Sequence, residues 1–419
     1  MPEGNTKAER LRALVLASTF PRWQGDTEPA FVYNLCRGLQ ADFDVTVLAP
    51  HAPGASLREE WQGMEVVRFR YFWPERLERL AYGGILPNLR RNRWLWLLVP
   101  LFLAAELIAA LRLIRSHRPD VIHAHWLLPQ GLVAAAAGLI TKTPVVITAH
   151  GGDVYGVRGR VQDALKRWAL RRAIALTAVS SDLARVMADL VGGSRGSPRS
   201  GRPRVEVISM GVDTQRFRPD ARDERLRRTL GVSGPFLLFV GRLAEKKGVR
   251  YLLEAMPAIL GNLPAAKLVV VGDGPLRGEL ESLSRLLGIE ESVVFVGGKR
   301  QEELPPYYAT ADVFIGPSIV VSGGDTESFG LVFAEAMASG CAVVASDVGG
   351  IRELVREGET GLLVPERDPA AIARAVCALL ADDELRRRLA AGGRSRVKRR
   401  FEQRFIANRY ARVLREAAA

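Results

Sequence analysis

The chain is predicted to adopt an α/β fold in which two Rossmann-like, doubly wound parallel-sheet domains face each other across a cleft. Twelve short runs rich in Val and Ile alternate with longer helical patterns along the 419 residues. The runs lack strict alternation of polar and apolar residues, as strands buried on both faces of a parallel sheet require. A segment dense in Gly, Ser, Pro and Arg, residues 191–204, separates them into two sets. Two α/β domains are therefore expected.

The twelve runs define the domain boundaries. The first six predicted strands are 12–18, 44–50, 65–69, 120–124, 144–148 and 174–180. The second six are 205–208, 236–241, 267–272, 292–297, 312–316 and 342–346. We assign residues 1–200 to an N-terminal domain and 201–395 to a C-terminal domain. The helical, Arg-rich segment from about 396 to 419 is expected to pack back on the first domain.

Composition restricts the class of protein without assigning a function. Hydrophobic residues make up 48% and charged residues 25% of the chain, which is typical of a globular protein and excludes a disordered one. The net charge of +13 favours anionic partners, but an Arg-rich proteome explains it equally well. Three cysteines without CxxC spacing (Cys36, Cys341 and Cys377) predict neither a disulfide framework nor a zinc site. The apolar run 11–18 is too short for a signal peptide core, so we expect a cytoplasmic protein.

Residues 94–111 form an apolar run, WLWLLVPLFLAAELIAAL, with arginines on both sides. A membrane span needs about 20 apolar residues. This run is slightly shorter, contains Pro100 and Glu106, and leads into the predicted strand 120–124. We therefore expect a buried helix, or one lying against a membrane surface, rather than a span.

Histidines follow two neighbouring strands of the first half. Ala149, His150, Gly151, Gly152 and Asp153 come directly after the strand 144–148, and His123 and His125 follow the preceding strand. Ligands of open α/β sheets bind at the carboxyl ends of the strands, and glycines there allow close backbone approach. His150 is therefore a candidate functional residue. A packed, hydrogen-bonded histidine is the alternative.

Two cations follow the strand 236–241 of the second half. Arg242 and Lys247 project from one loop at the end of the strand. A guanidinium offers a fork of donors and an ammonium a point charge, and together they suit a diphosphate. A charged surface loop is the alternative.

The segment GGDTESFGLVFAEAMASG, residues 323–340, combines a glycine-rich loop with an apolar helix. The first turn of a helix has unpaired N–H groups, which here could cradle phosphate oxygens at Ser328, Phe329, Gly330 and Leu331. Glu327 at the tip would repel a phosphate and suits a sugar hydroxyl instead. Glu335 lies about two turns further on, within reach of a ribose. A capping acid and a helical ion pair are the alternative for the two glutamates.

Glu327 and Glu335 have the spacing of the E-x7-E pair of the family 4 retaining glycosyltransferases, which have the GT-B fold, and the chain resembles that family. Further segments resemble the same family in the same order, and the resemblance covers nearly the whole chain. These segments are FPRWQGD (20–26), HAHWLLPQG (123–131), HGGD (150–153), AVSSDL (178–183), ISMGVD (208–213), VGRLAEKKG (240–248), VGDGP (271–275) and SDVGG (346–350).

The resemblance implies a role for each candidate residue. Arg242 and Lys247 would hold the donor diphosphate, helped by the backbone of 329–331. Glu327 would contact the transferred sugar and Glu335 the ribose, while His150 would lie beside the sugar in the transition state. Gly25 would approach the phosphates, although the family often has paired glycines in that loop and this chain has Gln24 before Gly25.

The expected activity is retaining, metal-independent transfer of a hexosyl group from a nucleotide-diphosphate sugar. The sugar nucleotide is a co-substrate, and no cofactor or metal is expected. The resemblance places the acceptor, a glycan or a lipid-linked molecule, on the N-terminal domain, and envelope polysaccharide or glycolipid synthesis is the expected context. The aromatic run from Tyr71 to Trp96 with its arginines suits peripheral binding at the anionic inner face of the cell membrane, whereas an ordinary packed insertion is the alternative.

Two other functions are compatible with parts of the sequence. A nucleotide-sugar 2-epimerase would share the overall fold, but the E-x7-E pair argues against it. A non-catalytic nucleic-acid-binding protein would use the Arg-rich tail, but the chain has no interleaved aromatics and no recognisable binding module there. No specific nucleic-acid partner is therefore expected.

Overall fold

The computed structural model describes residues 10–157, 159–192 and 205–419. They form two β-sheets, each with helices packed on it, so the fold contains the two α/β domains that the sequence predicts. All twelve predicted strands are present, with ends that shift by at most two residues. Most of the predicted linker 191–204 lies outside the described residues.

The first sheet has eight strands in the order β3-β4-β2-β1-β5-β6-β7-β8. Their bounds are Leu11–Leu16 (β1), Phe43–Pro50 (β2), Arg58–Trp61 (β3), Met64–Phe69 (β4), Val121–His125 (β5), Val145–Ala149 (β6), Ala175–Ala178 (β7) and Val205–Val207 (β8). The edge strand β3, with the sequence REEW, pairs antiparallel with β4, whereas every other pair is parallel. Its charged sequence has no apolar run, which is why β3 was not predicted.

The second sheet has six parallel strands in the order β11-β10-β9-β12-β13-β14. Their bounds are Phe236–Val240 (β9), Lys267–Val271 (β10), Val293–Gly297 (β11), Val313–Gly316 (β12), Ala342–Ser346 (β13) and Leu362–Val364 (β14). The three-residue β14 is too short for a sequence pattern and was not predicted.

Strand β8 corrects the division between the two sets of strands. Residues 205–208 follow the linker composition, which predicts that they belong to the second domain. In the structure β8 pairs in parallel with β7 and completes the first sheet. A change in composition marks an exposed segment, but it does not show on which side of that segment a sheet ends.

Sixteen α-helices are described. Those that precede β8 are Phe31–Leu39 (α1), Ile85–Arg91 (α2), Leu98–His117 (α3), Leu132–Thr141 (α4), Gly152–Tyr155 (α5), Arg160–Leu170 (α6) and Ser181–Val191 (α7). Those that follow are Glu224–Thr229 (α8), Val249–Asn262 (α9), Arg277–Leu286 (α10), Leu304–Thr310 (α11), Leu331–Ala338 (α12), Ile351–Leu354 (α13), Pro369–Ala381 (α14), Asp383–Arg400 (α15) and Gln403–Ala418 (α16).

Residues 94–97 of the apolar run lie in the 3-10 helix Arg93–Leu97, whereas helix α3 contains residues 98–111 of the run and belongs to the connection between β4 and β5 of the same sheet. Its inner face carries Phe102, Ala110 and Leu113, which are buried in the core, whereas Leu101 and Ile108 on the outer face are half-exposed. Among the described residues, the helical stretch Arg93–His117 is the one that is long and apolar enough to cross a membrane by length and composition, with a mean hydropathy of 2.2.

The chain crosses from the second domain back to the first between α15 and α16. Helix α15 packs on α12 and β13 and ends at Arg400, so the part of the predicted returning segment before residue 401 belongs with the second domain. Glu402 is extended, and its carboxylate accepts from the N–H groups of Arg404 and Phe405, which starts α16. Helix α16 packs on α1, where a Cβ on Gly38 would lie 2.5 Å from the Cβ of Ala407.

Candidate active site

The loop after β6 carries His150 and is shaped by Asp153. The buried carboxylate of Asp153 accepts from three backbone N–H groups: Leu127 at 2.6 Å, Gly151 at 2.8 Å and His150 at 3.3 Å. Gly151 has φ +113°, a conformation that a side chain disfavours. The first glycine and the aspartate of the HGGD segment therefore have different roles, because Asp153 fixes the loop and Gly151 allows it to turn.

His150 lies in a buried cluster of aromatic rings. Its Nε2 lies 2.9 Å from Nδ1 of His125, and its ring packs 4.8 Å from Trp126 and 5.1 Å from Phe31, centroid to centroid. Burial, reinforced by the nearby His123, lowers the pKa of His150 to about 3. His150 is therefore neutral at physiological pH, and one nitrogen of the His125–His150 pair donates to the other.

The loop after β9 brings two lysines to the carboxylates of the loop before α12. Nζ of Lys247 donates to the carboxylate of Glu327, and Nζ of Lys246 lies 3.4 Å from Oδ1 of Asp325. Burial opposes ionisation of Glu327, but Lys247 and Lys246 outweigh it, so the pKa of Glu327 is lowered. Glu327 is therefore an ionised carboxylate, four-fifths or more shielded from solvent and held by a lysine.

The helix after Glu327, predicted to begin between Ser328 and Leu331, begins at the end of that range. Helix α12 begins at Leu331, and Gly330 before it is left-handed, with φ +81°. Ser328 and Phe329 therefore lie in the loop and not in the first turn. The pattern of apolar residues extends back to Phe329 because its side chain is buried against Phe401, with the rings 5.6 Å apart. The N–H of Gly330 donates to Glu327, so that carboxylate already uses one N–H at the helix start.

The two domains meet at this point. A Cβ built on Gly151 would lie 1.6 Å from Oγ and 2.6 Å from Cβ of Ser328, so the loop after β6 touches the loop before α12. A guanidinium nitrogen of Arg242 donates to the carbonyl of Gly83 in the first domain. Arg242, Lys246 and Asp153 line one cavity of about 570 Å³. Of the predicted residues, Lys247 pairs with Glu327, Ser328 lies against the loop of His150, and Arg242 reaches the first domain at Gly83.

Glu335 lies in a separate, buried hydrogen-bond network. Its Oε2 accepts from the hydroxyl of Tyr308 at 2.9 Å, and its Oε1 lies 3.4 Å from Nε2 of Gln301. The amide oxygen of Gln301 in turn accepts from Asn34 of the first domain at 3.0 Å. Burial raises the pKa of Glu335 to about 7. Glu335 thus sits in an ordered network that also bridges the domains.

Gly25 is not joined to the other predicted residues. It is exposed, with φ +78°, and a Cβ built on it would lie 3.3 Å from Nη1 of Arg300. Gly25 therefore faces the second domain through Arg300, not through Arg242 or Lys247.

Sequence reasoning missed several residues of the site. His125 orients His150, Tyr308 and Gln301 hold Glu335, and Asp325 pairs with Lys246. His125 had a signal, since it ends a strand next to the one that precedes His150. Tyr308 and Gln301 had none, because they approach Glu335 from α11 and the turn before it. Among residues 10–157, 159–192 and 205–419, no group of three or more His, Cys, Asp or Glu side chains is placed to hold a metal ion.

Two family models match the chain side by side. The model described as Glycosyltransferase Family 4 matches residues 30–216, and the model described as Glycosyl transferases group 1 matches residues 222–396. The first match extends past β8, in agreement with the strand that completes the first sheet.

Characterised proteins with related sequences carry glycosyltransferase names. The chain is 34% identical over 307 residues to the GDP-mannose-dependent alpha-(1-6)-phosphatidylinositol monomannoside mannosyltransferase of Mycobacterium tuberculosis (strain ATCC 25618 / H37Rv), covering 73% of this chain and 78% of that one. It is 37% identical over 321 residues to the D-inositol 3-phosphate glycosyltransferase of Geodermatophilus obscurus, covering 71% and 67%. These relatives give no support to the epimerase alternative.

The fold also matches solved structures. Sucrose-phosphate synthase from Thermosynechococcus elongatus superposes with a TM-score of 0.76 at 25% identity, covering 97% of this chain and 99% of that one. The two facing parallel-sheet domains are thus those of the GT-B fold. On the two family matches and the relatives above, the chain belongs to glycosyltransferase family 4, the group 1 glycosyl transferases.

Proposed function

We propose that this glycosyltransferase is a retaining, metal-independent enzyme that moves a hexosyl group from a nucleotide-diphosphate sugar to a glycan or lipid-linked acceptor. One observation carries the proposal. Ser328 lies against Gly151 of the other domain, next to the Lys247–Glu327 pair, and Arg242 donates to Gly83 of that domain. Cations of the second domain thus lie near the boundary between the two domains, close to the start of α12.

The diphosphate is the part of the donor that these groups suit. Breaking the bond between sugar C1 and the diphosphate oxygen leaves an electron pair, and hence negative charge, on that oxygen. Preorganised cations and a helix start stabilise such charge, which is commonly the largest catalytic contribution. Lys247 and Arg242 would then do the work for which other enzymes use a divalent cation.

Retention is proposed to follow from attack on the face that the leaving group departs from. The acceptor hydroxyl oxygen forms the new bond to C1, and its proton passes to the departing phosphate oxygen. The products are the glycosylated acceptor and the nucleoside diphosphate, and no protein group needs to gain or lose a proton. This is consistent with a neutral His150, whose lowered pKa makes it a poor proton acceptor at pH 7.

The glutamates are proposed to bind donor hydroxyls. Glu327 is ionised and at the gap, so its carboxylate can accept from a hydroxyl of the transferred sugar. Glu335 would release the amide of Gln301 and accept instead from a hydroxyl of the ribose. Gly25 would approach the phosphates only if the first-domain loop moves away from Arg300.

The acceptor is proposed to bind the first domain, with the enzyme in the cytoplasm and peripheral at the membrane. Trp94 is 78% exposed and lies beside three exposed arginines, Arg90, Arg91 and Arg93. Aromatic and basic side chains together favour an anionic bilayer surface. The mycobacterial relative named above is, by its name, an enzyme that acts on a phosphatidylinositol mannoside. Binding to anionic vesicles that weakens at high salt supports this part of the proposal, and its absence at low salt contradicts it.

Donor turnover tests the whole proposal. The protein is incubated with UDP-, GDP- and ADP-hexoses and a mixture of cell-envelope lipids and oligosaccharides, with EDTA present. Release of one nucleoside diphosphate is expected, and NMR of the product should show the anomeric configuration of the donor. An inverted product refutes retention, and activity that appears only when a divalent cation is restored refutes metal independence.

A further inference from the structure

The cavity at the active site continues deep into the first domain. At the cleft it is lined by Asp153, Arg242 and Lys246. Away from the cleft its walls come from α2, α3 and α6 and are apolar, with Leu86, Leu89, Phe102, Leu103, Val161 and Leu165. One continuous space of about 570 Å³ therefore has a charged end at Asp153, Arg242 and Lys246 and an apolar end within the first domain.

The apolar end of the cavity opens at a surface that carries exposed apolar and basic side chains. Trp96 lines the cavity and is half-exposed, and its neighbours Trp94 and Leu97 are 78% and 69% exposed. Val161 and Leu165 line both this cavity and a second apolar hollow bounded by Trp168. Exposed apolar patches rimmed by polar residues mark interaction sites, and here the rim carries Arg90 and Arg93.

The change from a charged to an apolar lining along the cavity favours an amphiphilic ligand. A free sugar would leave its hydroxyls unpaired against the leucine walls, which is costly. A hydrocarbon chain suits those walls, since each methylene removed from water adds about fourfold in affinity. The orientation of the ligand follows as well, because its reacting hydroxyl has to lie at the charged end, near Arg242.

We propose that this cavity binds the hydrocarbon chain of a lipid-linked acceptor, whose hydroxyl head lies between Asp153 and Arg242 and whose chain leaves past Trp96 toward a bilayer. The inference rests on the proposed function and names the acceptor class of that same site. In this arrangement the exposed indoles of Trp94 and Trp96 hold the opening of the cavity at the membrane surface.

The test uses a fluorescent amphiphile on the full chain. Binding of 11-(dansylamino)undecanoic acid is followed by its emission, and n-alkanols from hexanol to decanol are used to displace it. The wild-type protein is expected to bind the probe, and each added methylene should strengthen displacement by about fourfold. No probe binding, or displacement that does not depend on chain length, overturns the proposal.

Variants that fill the cavity distinguish binding of the probe inside it from binding on the outer surface. Leu103→Trp and, as a second variant, Val161→Trp should each weaken probe binding by tenfold or more, whereas Leu286→Trp on the exposed face of α10 should leave it unchanged. Trp94→Ala should weaken binding to anionic vesicles and leave probe affinity unchanged. If Trp94→Ala weakens probe binding while both cavity variants do not, the probe lies on the surface and the proposal fails.

Nucleotide binding distinguishes this failure from failure of the proposed function. Leu103→Trp should retain the thermal stabilisation that UDP, GDP or ADP gives the wild-type protein, because the variant changes only the apolar end of the cavity. Wild-type protein that binds a nucleotide but not the probe contradicts the lipid acceptor and leaves the donor site standing. Wild-type protein that is stabilised by none of the nucleotides contradicts the proposed function itself.

Discussion

Gly151 of the first domain and Ser328 of the second are in such close contact that a Cβ on Gly151 would lie 1.6 Å from the serine Oγ. Gly151 belongs to the loop that carries His150, and Ser328 follows Glu327 directly. This contact therefore sets the distance between His150 of one domain and Glu327 of the other.

Gly151→Ala should lower kcat by on the order of 10², because the added methyl group displaces the two loops and because φ +113° disfavours a side chain. Steady-state kinetics with the best donor measures the effect. The matched control is Gly152→Ala, since a Cβ on Gly152 has no neighbour within 4 Å. Equal kinetics of both variants and the wild-type protein would contradict a catalytic contact between the loops. Adding Ser328→Gly should restore part of the activity of Gly151→Ala, since it removes the clash.

Lys247→Ala and Arg242→Ala should each reduce turnover by on the order of 10² or more, as does loss of one preorganised donor to a developing charge. Exposed cations on helices, Lys398→Ala and Arg250→Ala, are the controls. Circular dichroism should accompany the kinetics, because Lys247→Ala also removes the ion-pair partner of Glu327. Wild-type rates in both variants would refute the assigned site.

Glu335→Gln should change stability with pH in a defined direction. The raised pKa of Glu335, about 7, means that its contribution is fully present below the pKa of the unfolded chain, about 4.5, and is lost as pH rises through 7. The glutamine variant lacks this loss, so its stability relative to the wild-type protein should improve by about 3 kcal/mol from pH 4.5 to 8. Urea unfolding at several pH values measures this, with Glu254→Gln on α9 as the control. A difference that stays constant with pH argues against a buried Glu335.

The histidine cluster should have the opposite dependence. Burial lowers the pKa of His123 to about 3, so below pH 6.5 the unfolded chain binds a proton that the folded chain does not. Wild-type stability therefore loses about 1.4 kcal/mol per pH unit from this one group as pH falls below 6.5. His123→Asn lacks that term, so its stability deficit should shrink by this amount per unit between pH 6 and 4. The same denaturant titrations measure it, and a deficit that grows toward low pH would show that His123 is protonated in the folded state.

The strands and the strand-end residues were predictable because buried parallel strands leave a continuous apolar run. Strand β3 was not, since an edge strand such as REEW needs no such run. The position of β8 was missed for a different reason, because pairing across a sheet is not local in sequence. Composition near residue 200 could not indicate that the first sheet has one more strand.

Within the site, the sequence did not indicate how the candidate residues are paired. Lys247 was assigned to a phosphate, and in the structure it donates to Glu327, because two opposite charges in one gap pair with each other. Glu335 was assigned to a ribose, and its partners Tyr308 and Gln301 are far from it in sequence. The start of α12 could be placed only between Ser328 and Leu331, because the buried Phe329 continues the apolar pattern of the helix into the loop.

The most direct test of the account is the affinity for nucleoside diphosphates compared with monophosphates, measured by calorimetry in EDTA for the base that binds best. If Arg242, Lys247 and the loop before α12 hold the diphosphate, the wild-type protein should prefer the diphosphate by at least tenfold. Lys247→Ala should lose most of that preference while keeping its affinity for the monophosphate. Equal affinity of the wild-type protein for the two nucleotides would contradict the assigned diphosphate site.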